Sequence, residues 1–188
     1  MPYGISREEA LQLVEKHIEN KNMVNHCLAS EAVMKAVAGH LGEDVEKWGL
    51  AGLLHDLDAE THPDLAVHTV ETVSILKEKG VNAEIIEAIR LHNLTAWPGE
   101  ARITPFHHLL AAGETITGLI IASALVNPAK KLSAVKVKSV RKRYKEKAFA
   151  RGANRTIIAE CEDAGIPLAD FCELSLVAMQ SIAEEIGL

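Results

Sequence analysis

Leu53 to Glu60 reads LLHDLDAE. Two leucines close an apolar run, and an imidazole (His55) and three carboxylates (Asp56, Asp58 and Glu60) follow at once. Upstream, Val45, Trp48, Leu50, Ala51 and Leu54 recur at helical spacing, so the stretch reads as the end of a core helix. Adjacent residues on a regular helix point about 100° apart. His55 and Asp56 can therefore aim at one point only where the helix ends and its backbone loosens. Neutral imidazole nitrogen and carboxylate oxygen suit Mn, Fe, Co, Zn or Mg. What such a doublet does depends on the groups that meet it.

Outward from this stretch the chain reads as helix almost throughout. Ser6 to Glu9 is a capping-box pattern opening a first helix to about Glu19. Asn25 is the expected cap of a second helix through about Leu41, with Gly42 after it. Pro63 suits the first turn of a fourth helix reaching Gly80, and Asn82 opens a fifth through His92. Thr104-Pro105 starts a long sixth helix to about Val126. Further helices are expected around Ser133–Lys147, after Asn154, and from Ile166-Pro167 to near Gly187. No strand alternation, repeat or low-complexity linker interrupts the pattern. The expectation is an all-α bundle of about eight or nine helices, with residues 1–188 forming one domain.

Composition narrows the class. The chain has 188 residues, 48% hydrophobic and 24% charged, enough to bury a core that is aliphatic because aromatics are only 4%. The N-terminus lacks the apolar centre of a secretory signal, and the longest apolar run, Ile116 to Val126, is too short by itself to span a bilayer. Cys27, Cys161 and Cys172 form no CxxC pair, which argues against a disulfide framework or a thiolate zinc site. These features lead to the expectation of a reduced, cytoplasmic protein with no membrane partner. The net charge of −6 is divided unevenly. From Pro128 to Arg155 eleven Lys or Arg face one acid, Glu146, for a local +10, while the remainder carries −16. Such a basic segment fits a phosphate-bearing ligand, the acidic surface of a second copy in a homo-oligomer, or a solvated helix face. Nucleic acid ranks last, because Tyr144 and Phe149 are the only aromatics there for base stacking.

Several of the nine histidines fall near helix ends: His26, His55, His68 and His92. His17, His40 and His62 read more simply as polar caps. The order of His26, then LLHD at Leu53–Asp56, then a distant carboxylate resembles the HD-domain metal-dependent phosphohydrolases. HTVETVSILKEKG (His68–Gly80) and AIRLHN (Ala88–Asn93) are similar to the additional histidines of two-metal members. AAGETITGLIIASALVNP, SVRKRYKEKAFARGANR and MQSIAEEIGL extend the likeness to a bacterial subgroup of small HD proteins over essentially the whole chain. One position departs from the subgroup: Glu114 stands where it has aspartate, keeping the charge but adding a methylene.

The resemblance implies one or two divalent ions, a water activated by them, and a small phosphorylated substrate, nucleotides included. It implies a first-ion set of His26, His55, Asp56 and Glu114, and a second of Asp56, His68 and His92, with His107 or His108 in reserve. His55, Asp56 and Asp58 are the expected catalytic groups. Asp58 and Glu60 could orient a ligand histidine or the water, or Asp58 could cap the following loop. No lysine follows the doublet, so phosphate contact falls to the basic segment, foremost Arg151 and Arg155. The competing reading is a catalytically weak HD-fold module that binds a nucleotide or holds a structural metal.

Overall fold

The computed structural model describes residues 2–188. Side-chain caps set most of the helix starts. Ser6 accepts from the Glu9 amide and Glu9 accepts from the Ser6 amide, closing the box that opens α1 (Arg7–His17). α2 (Lys21–Leu41) starts earlier than expected: Asn20, not Asn25, caps it by accepting from the Asn22 amide. Asn25 lies inside that helix, and its amide donates to the Ile186 carbonyl. Asp44 caps α3 (Val45–Leu54), Asn82 caps α5 (Ala83–His92) and Thr104 caps α6 (Pro105–Leu125).

The fourth helix differs most from expectation. Residues 56–69 form a run of turns, and α4 covers only Val70–Glu78. Pro63 opens no helix; the helix starts at Val70, where the buried carboxylate of Asp58, upstream of Pro63, accepts the amides of Thr69 and Thr72. An anion at that end satisfies two donors that α4 cannot bond internally. His68 consequently sits just before α4 rather than a turn inside it. The basic segment also carries less helix than expected: one 3-10 turn (Leu132–Ala134), α7 (Val137–Lys145) and α8 (Arg155–Ala159). α9 (Leu168–Ser181) stops short of Gly187. Among the described residues there are nine α-helices and no strand, so the all-α expectation holds.

One cluster of buried apolar side chains extends from Ile5 to Ile186, centred where α2, α3 and α6 pack together. Gly52 lets α3 approach α2 closely: a Cβ there would stand 2.6 Å from the Ser30 carbonyl oxygen. The close crossing holds the end of α3 beside the start of α2, where His55 and His26 lie. The apolar run from Ile116 belongs to α6, a 21-residue helix that by length and composition alone could cross a membrane. Of its most apolar window 67% is buried among the other helices, as in the core helix of a bundle.

Candidate metal centre

Four imidazoles from four places in the chain converge on Asp56. His26 comes from the start of α2, His55 from the end of α3, His68 from the turn before α4 and His92 from the last position of α5. Asp56 Oδ1 lies 3.4 Å from His55 Nε2, 3.1 Å from His68 Nε2 and 3.5 Å from His92 Nε2. Its Oδ2 lies 3.5 Å from His26 Nε2. Two triplets therefore share this carboxylate, His26–His55–Asp56 and Asp56–His68–His92, each tight enough for its donor atoms to hold one ion.

Each ring is aimed through its other nitrogen. His55 Nδ1 donates to the Gly52 carbonyl at 2.9 Å and His92 Nδ1 to the Ile89 carbonyl at 2.7 Å. The Thr117 hydroxyl donates to the Glu114 carbonyl at 2.7 Å, so it accepts from His26 Nδ1 at 2.9 Å. His68 Nδ1 donates to Asp58 Oδ1 at 2.8 Å. With every Nδ1 proton committed to an acceptor, a neutral ring presents a bare Nε2 lone pair inward. His26 and His55 bring two such atoms to 3.1 Å, and His68 and His92 bring two to 3.3 Å. Facing lone pairs at that separation need a cation between them or a proton on one ring, so this donor set fits a divalent ion.

The electrostatics distinguish the rings: His55 is held neutral, whereas His68 carries a proton until an ion replaces it. Burial pushes the His55 imidazole down to about 3, keeping it neutral. Burial works against ionisation of Asp56, but the rings of His55, His68 and His92 outweigh it and hold the carboxyl well below its usual range. Burial also opposes charge on His68, yet its hydrogen bonds to Asp56 and Asp58 prevail and raise it to about 10 without an ion. An ion at Nε2 has to displace that proton.

The remaining expected residues divide sharply. Glu114, in the middle of α6, lines the same cavity with Oε2 3.8 Å from His26 Nε2, but stays outside the tight triplets. The Thr115 hydroxyl holds its other oxygen back toward the helix, and burial raises its pKa. Asp58, expected among the catalytic groups, lies beneath His68 and does not line the cavity. Its oxygens are taken by His68 and the Thr69 and Thr72 amides, so it both aims a histidine and caps a helix. Glu60 is remote, accepting the amides of Glu19 and Asn20. His107 lines a different groove, and His108 donates to Glu160. Cys27, Cys161 and Cys172 are buried and free.

Arg155 must be corrected. Its Nε donates to the Tyr144 carbonyl at 3.0 Å, and its other nitrogens donate to the carbonyls of Ala150, Ala153, Arg143, Glu146 and Phe149. A guanidinium spent on backbone carbonyls cannot also grip a phosphate. Arg151 is exposed and has no hydrogen bond or ion pair among the described residues. It stands next to Gly152, Ala153 and Asn154, which line the cavity.

Sequence reasoning missed Thr117, Asn93 and the pair Arg102–Glu160. Thr117 follows Glu114 by three residues and so shares its helix face, a signal that was readable. Asn93 donates to the carbonyls of Leu65 and His68, fixing the turn that carries His68. Arg102 holds Glu160 with two bonds of 2.6 Å and donates to the carbonyls of Leu91 and His92, securing the end of α5.

The cavity beside the cluster measures about 550 Å³. A family model described as HD domain matches residues 23–134, which carry the whole cluster from His26 to Glu114. Ribonuclease Y of Thermosipho melanesiensis is 29% identical over 143 residues, covering 73% of this chain and 27% of that protein. Ribonuclease Y from two strains of Nitratidesulfovibrio vulgaris is 32% identical over 100 residues, 53% of this chain and 18% of that protein. The chain thus spans between 18% and 27% of the length of these curated relatives. No solved structure matches it.

Proposed function

The chain belongs to the HD domain family, and from that premise we propose that it is a metal-dependent phosphohydrolase cleaving a small phosphoester with an activated water. Residues 1–188 act as one HD-like unit. His26, His55, Asp56 and Glu114 hold one divalent ion; Asp56, His68 and His92 hold a second. The observation that carries this reading is the pair of bare Nε2 atoms of His26 and His55 facing each other at 3.1 Å. Nitrogen-rich donors with one shared carboxylate favour Mn, Fe, Co or Zn over Mg, which prefers oxygen.

A bound divalent ion supplies a water whose pKa is lowered to about 7 and a Lewis acid for the phosphoryl oxygen. The protein's own groups supply aim. Thr117, Gly52, Asp58 and the Ile89 carbonyl fix the four tautomers, so that no ring has to reorient during the reaction. Arg151 at the rim meets the outer phosphate oxygens.

The test is turnover of p-nitrophenyl phosphate by the purified chain with Mn, Fe, Co, Zn or Mg added separately, in wild type and His55→Ala/Asp56→Ala. Metal-dependent hydrolysis that disappears in the double variant supports the proposal. No turnover with any metal rejects it in favour of a binding module. A second reading, hydrolysis of an RNA phosphodiester, is favoured by the likeness to ribonuclease Y, and a labelled oligoribonucleotide in the same assay separates the two.

A further inference from the structure

Building on the phosphohydrolase reading, we propose that the substrate is a monoester with one phosphate on a small hydroxyl-bearing aliphatic group, of the sugar-phosphate or polyol-phosphate class. The inventory of cations points there. Among the described residues, Arg102 is the only Lys or Arg lining the cavity. Its charge is already neutralised by Glu160 at 2.6 Å, and its Nη1 is taken by two carbonyls. Arg155, behind the rim, is spent on carbonyls as well. Glu114 adds a carboxylate to the same wall. A second or third phosphate would bring further negative charge out of water with no cation to meet it, whereas one phosphate needs only the metal centre and Arg151.

The walls point the same way. Among the described residues no Phe, Tyr or Trp lines the cavity, so a nucleobase finds no aromatic face there on which to stack. Leu65, Leu94 and Ile157 offer short aliphatic surfaces instead. Between them stand two polar groups with no partner among the described residues, the Thr95 hydroxyl and Asn154 Nδ2; Asn154 uses only its Oδ1, on the Thr156 amide. Hydroxyl groups of a polyol suit both. In the reaction the water oxygen bonds to phosphorus and the bond from phosphorus to the ester oxygen breaks. The water proton passes to the departing alkoxide, leaving an alcohol and orthophosphate with no change of oxidation state.

The experiment compares kcat/KM of the metal-loaded full chain for a pentose 5-phosphate, p-nitrophenyl phosphate, AMP, ADP, ATP and a short oligoribonucleotide. The pentose phosphate is expected to lead AMP by at least about tenfold, with ADP and ATP lower still. The variant Thr95→Val/Asn154→Ser, which keeps the α8 cap oxygen, is expected to cut the ratio of pentose phosphate to p-nitrophenyl phosphate by about tenfold. A thermal-shift titration should give the same ligand order without relying on turnover. A nucleotide or the oligonucleotide as best substrate overturns this inference and leaves the phosphohydrolase reading intact. No hydrolysis of anything, p-nitrophenyl phosphate included, overturns both.

Discussion

Replacing Thr117 with valine separates the aim of His26 from its presence. Thr117 is fully buried, and its hydroxyl takes the Nδ1 proton of His26 at 2.9 Å while donating to the Glu114 carbonyl. Valine keeps the shape and removes that acceptor. The Nδ1 proton is then left without a partner, at a cost of about 1–3 kcal/mol. The ring recovers part of this by moving the proton to Nε2, where Asp56 Oδ2 at 3.5 Å and Glu114 Oε2 at 3.8 Å can receive it. That proton occupies the lone pair an ion requires. Metal affinity should fall about 10–100-fold, or about 1.4–2.8 kcal/mol, while the metal-free protein loses less than about 1.5 kcal/mol of stability. A competition titration of Zn or Mn against a chromophoric chelator reads the affinity; denaturant unfolding of the apoprotein reads the stability. Thr117→Ser should restore binding, and His26→Ala should bind more weakly than Thr117→Val. Affinity of Thr117→Val within about twofold of wild type would refute the reasoning.

Glu114→Gln keeps the size and removes the charge, and should weaken metal binding at least about tenfold by the same titration; unchanged affinity would take Glu114 out of the ligand set. Arg155→Lys loses the planar fork that ties six carbonyls together, so thermal unfolding should show a loss of about 2–4 kcal/mol, and an unchanged melting temperature would contradict the caged role. Burial raises the Glu160 pKa, but its bonds to Arg102 and His108 outweigh this and hold it below 4.5. A depressed folded-state pKa contributes stability above pH 4.5 that is lost as pH falls through the lower value. Glu160→Gln should therefore flatten the acid limb of unfolding free energy below the ordinary glutamate pKa, and an acid limb as steep as wild type would count against the pairing.

The centre was more legible than the residues that support it. His26, Asp56, His68, His92 and Glu114 line one cavity, with the buried His55 against His26 and Asp56, because their order in the chain resembles the HD-domain family, whereas helix-end spacing alone would not have singled them out. Local helix starts were partly legible: the Ser6 box reads directly, but Pro63 suggested a start that lies instead at Val70, where the buried Asp58 accepts the amides of Thr69 and Thr72. Arg155 could not be read correctly. A guanidinium that grips phosphate and one that grips carbonyls look identical in sequence, and only the course of residues 143–153, including Ala150 at a φ of 45°, decides between them. The Arg102–Glu160 pair joins residues 58 apart, and no local pattern carries a contact of that range.

Everything proposed for this chain depends on the His26–His55–Asp56–His68–His92 cluster binding metal. Elemental analysis of the chain purified without chelator, beside His55→Ala/Asp56→Ala, tests it most directly. Near-stoichiometric Mn, Fe, Co or Zn is expected in the wild type and none in the double variant. No metal in either protein, even after reconstitution with each ion, would contradict it.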